Sequence, residues 1–385
     1  MRLMLFNSGS GRKEPFRTLK PGSVSIYVCG VTPYDTTHIG HAFTYLSFDA
    51  LIRYLVFSGL NVNYTQNVTD IDDDVLRKAR EQHKDWRALG TFWTRRYLAD
   101  MKGLNALKPT HYVKATGAMP QIIRMVAALV EGGFAYESAG NVYFNVKKFP
   151  RYGRLSHYSE AQMRLLLKER GGDPSDPNKR NPLDFIVWQA WKEGEPYWSS
   201  PWGRGRPGWH IECSAMIREY LGERIDIHGG GRDLIFPHHE SEIAQSESFT
   251  GKRPFSRYFM HTAMVMRDGE KMSKSLGNLV LVSDLLKRHS PNAVRWLLLS
   301  HHYRRVWEFM QDELDAAEST VERISRYLAK EPKAKPDADV MKRFSSAMDD
   351  DLDTPAALDM ISRLCESAAG QGSARQMMRV LGFIV

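Results

Sequence analysis

Between Val24 and Cys29 (VSIYVC) apolar and polar residues alternate with the period of a strand, in a run rich in β-branched and aromatic types. A turn-prone stretch, Gly30 to Thr37, separates it from His38 to Ser58, whose spacing reads as a helix stopped by Gly59. Val62 to Val68 (VNYTQNV) reads as a second strand. Strand, helix and strand in close succession form a βαβ unit, which implies a parallel sheet with ligands at its carboxyl edge. The charged stretch Asp72 to Met101 reads as helical. Residues 107–200 are mixed: a helix over Ala118–Gly132, short strands around Tyr136–Val146, then GGDPSDPNKRNP, a loop full of breakers. This segment is expected to be an insertion between two halves of the sheet. The second half resumes near Pro207 and includes the strand-like RIDIHGG. Later, apolar residues at 314, 317, 321, 324 and 328 mark one face of a helix. A polar linker, Glu331–Asp339, and one short helical segment follow.

Composition narrows the class without choosing a function. The 385 residues are 42% hydrophobic and 25% charged, with a mean hydropathy of −0.43, as in a globular protein that builds large cores. No apolar run approaches the roughly 18 residues of a membrane span, and the first residues lack the pattern of a signal peptide. The expectation is a cytoplasmic protein with no membrane partner, working as a monomer. A net charge of +8 permits polyanion partners and equally suits a solvated basic surface. Three scattered cysteines, Cys29, Cys213 and Cys365, are too few for a disulfide framework.

Three constellations carry chemistry. His38-Ile39-Gly40-His41 follows a strand and turn at a helix start, where free N–H groups and the helix dipole favour an anion such as a phosphate. Alone, an HxxH is more often two surface or core histidines. Far downstream, Lys271-Met272-Ser273-Lys274-Ser275 sets two lysines and two hydroxyls in a loop suited to clamp a triphosphate. Finally, Cys29, Cys213, His238 and Glu242 make a plausible zinc shell, and His238 and Glu242, four apart, share a helix face. Spacing alone fits equally well two buried cysteines and an unrelated His/Glu pair.

The early HxxH taken with the late KMSKS resembles the signature of class I aminoacyl-tRNA synthetases. YVCG, WHIECSAM, DIHGGGRDLIFPHHESEIAQSE and GEKMSKSLGN resemble the cysteine-activating members of that group, over about residues 20–310. The resemblance implies an ATP-dependent, AMP-forming cysteine ligase that uses Zn2+ and ATP with Mg2+. It implies an α/β fold: a Rossmann-like parallel-sheet catalytic domain with an insertion, then a C-terminal helical domain. The units expected are residues 1–106 and 201–290 for the two halves, 107–200 for the insertion and 291–385 for the helical part, without an anticodon-binding domain. By the same resemblance, Cys29, Cys213, His238 and Glu242 hold zinc. Thr32, Thr69, Trp209 and His228 line the cysteine pocket. Gly40, Gly229, Gly230, Asp233 and Val265 bind ATP, and His38, His41, Lys271 and Lys274 are catalytic. The residue types suit these roles: Trp209 offers a flat apolar wall, the glycine run allows close approach to adenosine, and Asp233 can accept from ribose hydroxyls.

Two families share these motifs and differ in the acceptor of the cysteine. One charges tRNA(Cys); the other transfers cysteine to the amine of glucosaminyl-inositol in mycothiol biosynthesis. Gly30-Val31-Thr32-Pro33-Tyr34-Asp35, Phe43 after HIGHA, Gln66 to Asp70 and Gly171 to Pro174 resemble the small-amine ligase. His228, Glu242, KRNPLDF and WHIECSAM resemble the tRNA enzyme, and residues 271–310 carry seven Lys/Arg against two Asp/Glu. On balance glucosaminyl-inositol is the expected acceptor, with tRNA(Cys) as the alternative. A third acceptor, or an inactive relative that only binds, stays open on the residues alone.

Overall fold

Five parallel strands form the central layer of the computed structural model: β1 (Ser23–Val31), β2 (Asn61–Val68), β3 (His111–Lys114), β4 (Ile225–Gly231) and β5 (Ser256–Thr262). Their order is β5-β4-β1-β2-β3. The chain runs outward one way through β1, β2 and β3, and the other way through β4 and β5. The switch point therefore falls between β1 and β4, where an open parallel sheet leaves a crevice at its carboxyl edge. The structure describes residues 2–35, 37–272, 276–329, 335–365 and 370–385.

Both faces of this sheet are covered, so the residues of β4 from Ile225 to Gly230 are all buried, polar Asp226 and His228 among them. On one face, α1 (Ile39–Phe57) makes the crossover from β1 to β2 and buries Ile39, Ala42, Phe43, Leu46, Phe48 and Leu51. A helix apolar on so many sides must be sandwiched. On the other face lie α2 (Trp209–Tyr220) and α3 (Glu240–Thr250), which share a second core with Met119–Glu131 and the inserted sheet. That sheet is antiparallel and orders Ala135–Ser138, Asn141–Phe144, Phe185–Ala190, Gly203–Pro207 and Trp198–Ser200. Beyond it, α4 (Pro291–Leu299) and α5 (Gln311–Ala329) pack with the α1 face. In α5 the residues buried are Leu314, Ala317, Val321, Ile324 and Leu328, the five whose spacing marked the helix.

The structure departs from the sequence reading in three places. Asp72–Met101 is two helices, Asp73–Glu81 and Trp86–Gly103, each begun by an aspartate cap (Asp72, Asp85) and separated by His83 at positive φ. The parallel sheet continues past residue 106, because β3 pairs with β2. Among the described residues after the linker there are three α-helices, Ala338–Asp349, Thr354–Leu364 and Gln371–Val380, where one was expected. Two of them also start on aspartate caps, Asp337 and Asp353. Among the described residues no helix is long and apolar enough to cross a membrane.

Candidate functional site

β1 does not end straight. Its register with β2 shifts between Val28 and Val31, and the displaced Gly30 donates its N–H to Asn67 Oδ1 at 2.8 Å. A Cβ on Gly30 would sit 1.6 Å from the Asn67 carbonyl oxygen, so only glycine passes here. The bulge lies beside Cys29, whose carbonyl accepts from the buried Tyr45 hydroxyl at 3.2 Å. From here Cys29, Thr32 and Thr69 line a cavity of about 1040 Å³ at the carboxyl edge of β1 and β4, which Asn67 also reaches.

The first wall of the cavity is the start of α1. His38 is the N-cap, and its Nδ1 accepts from the Gly40 N–H at 3.1 Å. The rings of His38 and His41 stack with centroids 3.8 Å apart. A Cβ on Gly40 would meet the His38 ring at 3.0 Å, so its bareness gives the capping imidazole room to turn back on the helix start, and the Met272 methyl lies in ordinary contact at 3.7 Å. Opposite, the Asp233 carboxylate reaches Lys271 Nζ at 3.4 Å and Arg170 Nη1 at 3.6 Å. Val265 and Gly231 complete this end of the cavity. Lys274 lies outside the described residues. Gly229 and Gly230 are buried, and the room they leave is filled by the protein itself: by Phe48 at Gly229, by Leu234 and His239 at Gly230.

The second wall holds the thiols. Cys213, one turn along α2 from Trp209, meets Cys29, while His238 comes from a π-helical turn, Ile235–His239, that leads into α3. His238 Nε2 lies 3.0 Å from Glu242 Oε1, so the four-residue spacing does place them on one face. One donor atom from each of Cys29, Cys213, His238 and Glu242 falls within 4.8 Å of the others, and all four residues are buried. Zinc with bonds of about 2.0–2.3 Å needs ligand atoms roughly 3.3–3.8 Å apart, so the group would draw in slightly around the ion, and two sulfurs, an imidazole and a carboxylate are donor types that zinc takes. Trp209 stacks on His238 with centroids 4.3 Å apart. Cys29, Cys213, His238 and Trp209 face the cavity, leaving room beside the group for a further ligand. His228 is fully buried and bonds Glu242 from behind.

The protonation pattern of this group suits a cation. Burial, the neighbouring Cys213 and the Glu242 charge push the Cys29 thiol well above its usual range. Burial also opposes a Cys213 thiolate, but its hydrogen bond with Cys29 and the His238 charge bring it down to about 7. Burial resists a charge on His238 too, yet Glu242 and Cys213 together raise it to about 10. Glu242 and a readily ionised Cys213 thus share one imidazolium while the Cys29 thiol stays protonated, and a divalent ion among them would favour the thiolate of both cysteines.

Sequence reasoning passed over His239, whose Nε2 is 3.3 Å from Cys29 Sγ, and His261, which bonds it. It also passed over Arg170, Asp72 and Glu212 on the cavity wall. His239 could have been suspected from the doubled histidine of Phe236-Pro237-His238-His239-Glu240.

The tRNA synthetases class I (C) catalytic domain family matches residues 15–319. A cysteine--tRNA ligase of Dehalococcoides mccartyi is 46% identical over 93% of this chain and 79% of its own length. One of Halorhodospira halophila is 45% identical over 100% of this chain and 85% of its own. Among solved structures, the methionyl-tRNA synthetase of Mycobacterium tuberculosis, in complex with methionyl-adenylate, superposes with a TM-score of 0.65 at 15% identity, over 93% of this chain and 89% of that one. A LeuRS of Agrobacterium radiobacter K84 superposes with the same score at 12% identity, over 95% and 84%. At such identities the likeness is one of fold: the Rossmann-like catalytic architecture.

Proposed function

The chain belongs to the cysteine--tRNA ligase family of class I tRNA synthetases, and we propose from that premise that it activates L-cysteine with ATP and transfers the cysteine to tRNA(Cys). The observation that carries the proposal is the meeting, in one cavity, of the His38/His41 helix start with a buried Cys29–Cys213–His238–Glu242 group. One wall suits a nucleotide triphosphate; the other suits a thiol.

In this reading ATP, carrying Mg2+ on its phosphates, lies along the start of α1. Asp233 gives up its bonds to Lys271 and Arg170 in favour of ribose hydroxyls, which frees Lys271 to face the phosphates. Zinc, when held by the four donors, supplies a Lewis acid for the substrate sulfur, a preference that the harder hydroxyl of serine does not satisfy. Trp209, Thr32 and Thr69 close around the short side chain, and His228 holds Glu242 in place. The cysteine carboxylate then attacks the α-phosphate, forming cysteinyl-adenylate and releasing pyrophosphate. His38, His41, Lys271 and Lys274 stabilise the charge that builds on the phosphates. A ribose hydroxyl of the tRNA attacks the activated carbonyl and AMP leaves. No covalent enzyme intermediate is needed, because the mixed anhydride already activates the carbonyl.

The relatives turn the acceptor toward tRNA(Cys) and lend no support to glucosaminyl-inositol, the acceptor favoured by several local motifs. Acceptor-dependent AMP release tests this: protein, ATP, Mg2+ and cysteine, with either bulk tRNA or glucosaminyl-inositol. Cysteinyl-tRNA formed in the first mixture, with no product in the second, is the expected result. Product only in the second restores the small-amine reading, and absence of cysteine-dependent pyrophosphate exchange overturns both.

A further inference from the structure

Behind Cys29 a row of hydrogen bonds leads away from the metal group. Cys29 Sγ lies 3.3 Å from His239 Nε2; His239 Nδ1 lies 2.8 Å from His261 Nε2; His261 Nδ1 lies 2.7 Å from the Ser8 hydroxyl. The residues come from β1, the π-turn before α3, β5 and the first residues of the chain. His239 is fully buried, His261 is 6% exposed and Ser8 is half-buried.

We propose that His261 and Ser8 are positioning residues that lock His239 in the tautomer that donates its Nε2 hydrogen to the Cys29 sulfur, and so set the donor strength of that sulfur toward the metal. The inference rests on the zinc reading above and extends it to groups that touch no ligand atom except through His239.

The polarity of the row follows from its ends. A metal-bound Cys29 is a thiolate and has no hydrogen to give, so His239 Nε2 must carry one. A neutral imidazole has a single N–H, so His239 Nδ1 is then an acceptor, and His261 Nε2 must donate to it. His261 Nδ1 is left bare and accepts from the Ser8 hydroxyl, which alone in the row can donate or accept freely. The opposite polarity would set the lone pair of His239 Nε2 against the thiolate. Burial keeps His261 neutral, its pKa brought down to about 3 by the lost hydration and then by neighbouring His228 and Arg232, so the single-hydrogen count applies to it. A hydrogen bond to a thiolate withdraws charge from sulfur, and partners of this kind behind a ligand hold its orientation and tune the metal.

The test uses the full chain loaded with Co2+ or Zn2+. In the Co2+ protein, the sulfur-to-cobalt charge-transfer band should move to longer wavelength in His261→Phe, which keeps an aromatic shape and removes the donor. His261→Gln, whose amide N–H can still reach His239 Nδ1, should retain the wild-type band. Zinc loss to a chelator should be about tenfold faster in His261→Phe and near normal in His261→Gln. If the imidazole only fills space, the order reverses: Phe behaves as wild type and Gln loses zinc, which overturns the proposal. Ser8→Ala should shift the band in the same sense as His261→Phe. Should the His261→Phe chain not fold, an unchanged band in Ser8→Ala is the overturning result. Wild-type protein that retains no stoichiometric zinc would instead remove the metal reading itself.

Discussion

A carboxylate held away from water beside other carboxylates loses its preference for the charged state, and Asp72 stands in that position on the cavity wall. Burial, with Asp74 and Asp73 adding repulsion, raises it to about 6 against the pull of the Asp74 N–H and of Arg206. The folded chain therefore keeps a proton at pH 5 that the unfolded chain has lost. With fewer protons bound in the unfolded state, stability falls as pH rises through the window from about 4 to 6. Asp72→Asn keeps the helix cap, since Asn also accepts from the Asp74 N–H, and removes the titration. Urea unfolding should show the variant gaining on wild type as pH rises, by about 2 kcal/mol between pH 4 and 7, after allowing for water in the cavity. Parallel curves at the two pH values would contradict the assignment. Asp72 illustrates what single residues concealed. Cys29, Cys213, His238 and Glu242 could be named together because their motifs resemble those of the cysteine-activating family; their spacing alone fitted a zinc shell and plain core packing equally well. Asp72, Glu212, His239 and His261 take their meaning from neighbours far away in sequence: Glu212 and Asp72 are 140 positions apart, yet after burial and Cys213 the charge of Asp72 helps to raise Glu212.

At the scale of elements, β1, α1, β2 and α5 were legible in the sequence, α5 by the single face it buries and the other three by their runs of β-formers or apolar residues between turn signals. It failed where local signals were polar. The break between the helices of 73–81 and 86–103 depends on the Asp85 cap, and a cap inside a charged stretch looks like any other surface acid. The glycine run of β4 was legible as a place of close approach, but what approaches could not be read. At Gly229 it is α1: a Cβ there would lie 2.2 Å from the tip of Phe48. Since α1 also carries His38 and His41 at its start, this contact fixes how far the helix stands from the sheet. Gly229→Ala should cost about 1–3 kcal/mol by overpacking. Phe48→Leu, made in the same chain, should recover part of that loss, so that the double variant is more stable than the sum of the two single changes implies. Strict additivity in urea unfolding would show that the helix and the strand do not press on one another at this point.

The whole molecule is tied together at one buried ion pair. Arg295 of α4, 1% exposed, bonds the Asp49 carboxylate of α1, and it donates to the Leu381 carbonyl at 2.6 Å and to the Leu104 carbonyl at 2.9 Å. Asp49 in turn accepts from Arg53 Nε at 2.9 Å and from the Leu107 N–H at 2.7 Å. Near the end of the chain, Gly382 and Ile384 hand their carbonyls to Asn105 and Asn292 at 2.7 and 2.9 Å. Four stretches distant in sequence thus share one polar knot between the crossover helix of the sheet and the helices that follow it. Losing Arg295 takes the donor from the Leu104 and Leu381 carbonyls and leaves Arg53 as the cation beside buried Asp49, a loss of about 3–5 kcal/mol. Arg295→Met should show that loss in urea unfolding as a single shifted transition, because both sides of the knot belong to one core. Adding Asp49→Asn removes the buried charge and should recover part of the stability, while Arg53, at the edge of the core, turns to water. Backbone amide exchange over 381–384 should quicken in Arg295→Met more than exchange in β1 or β4. Two separate transitions in Arg295→Met would mean that the helices after α4 fold apart from the sheet, and that the knot joins two bodies and not parts of one.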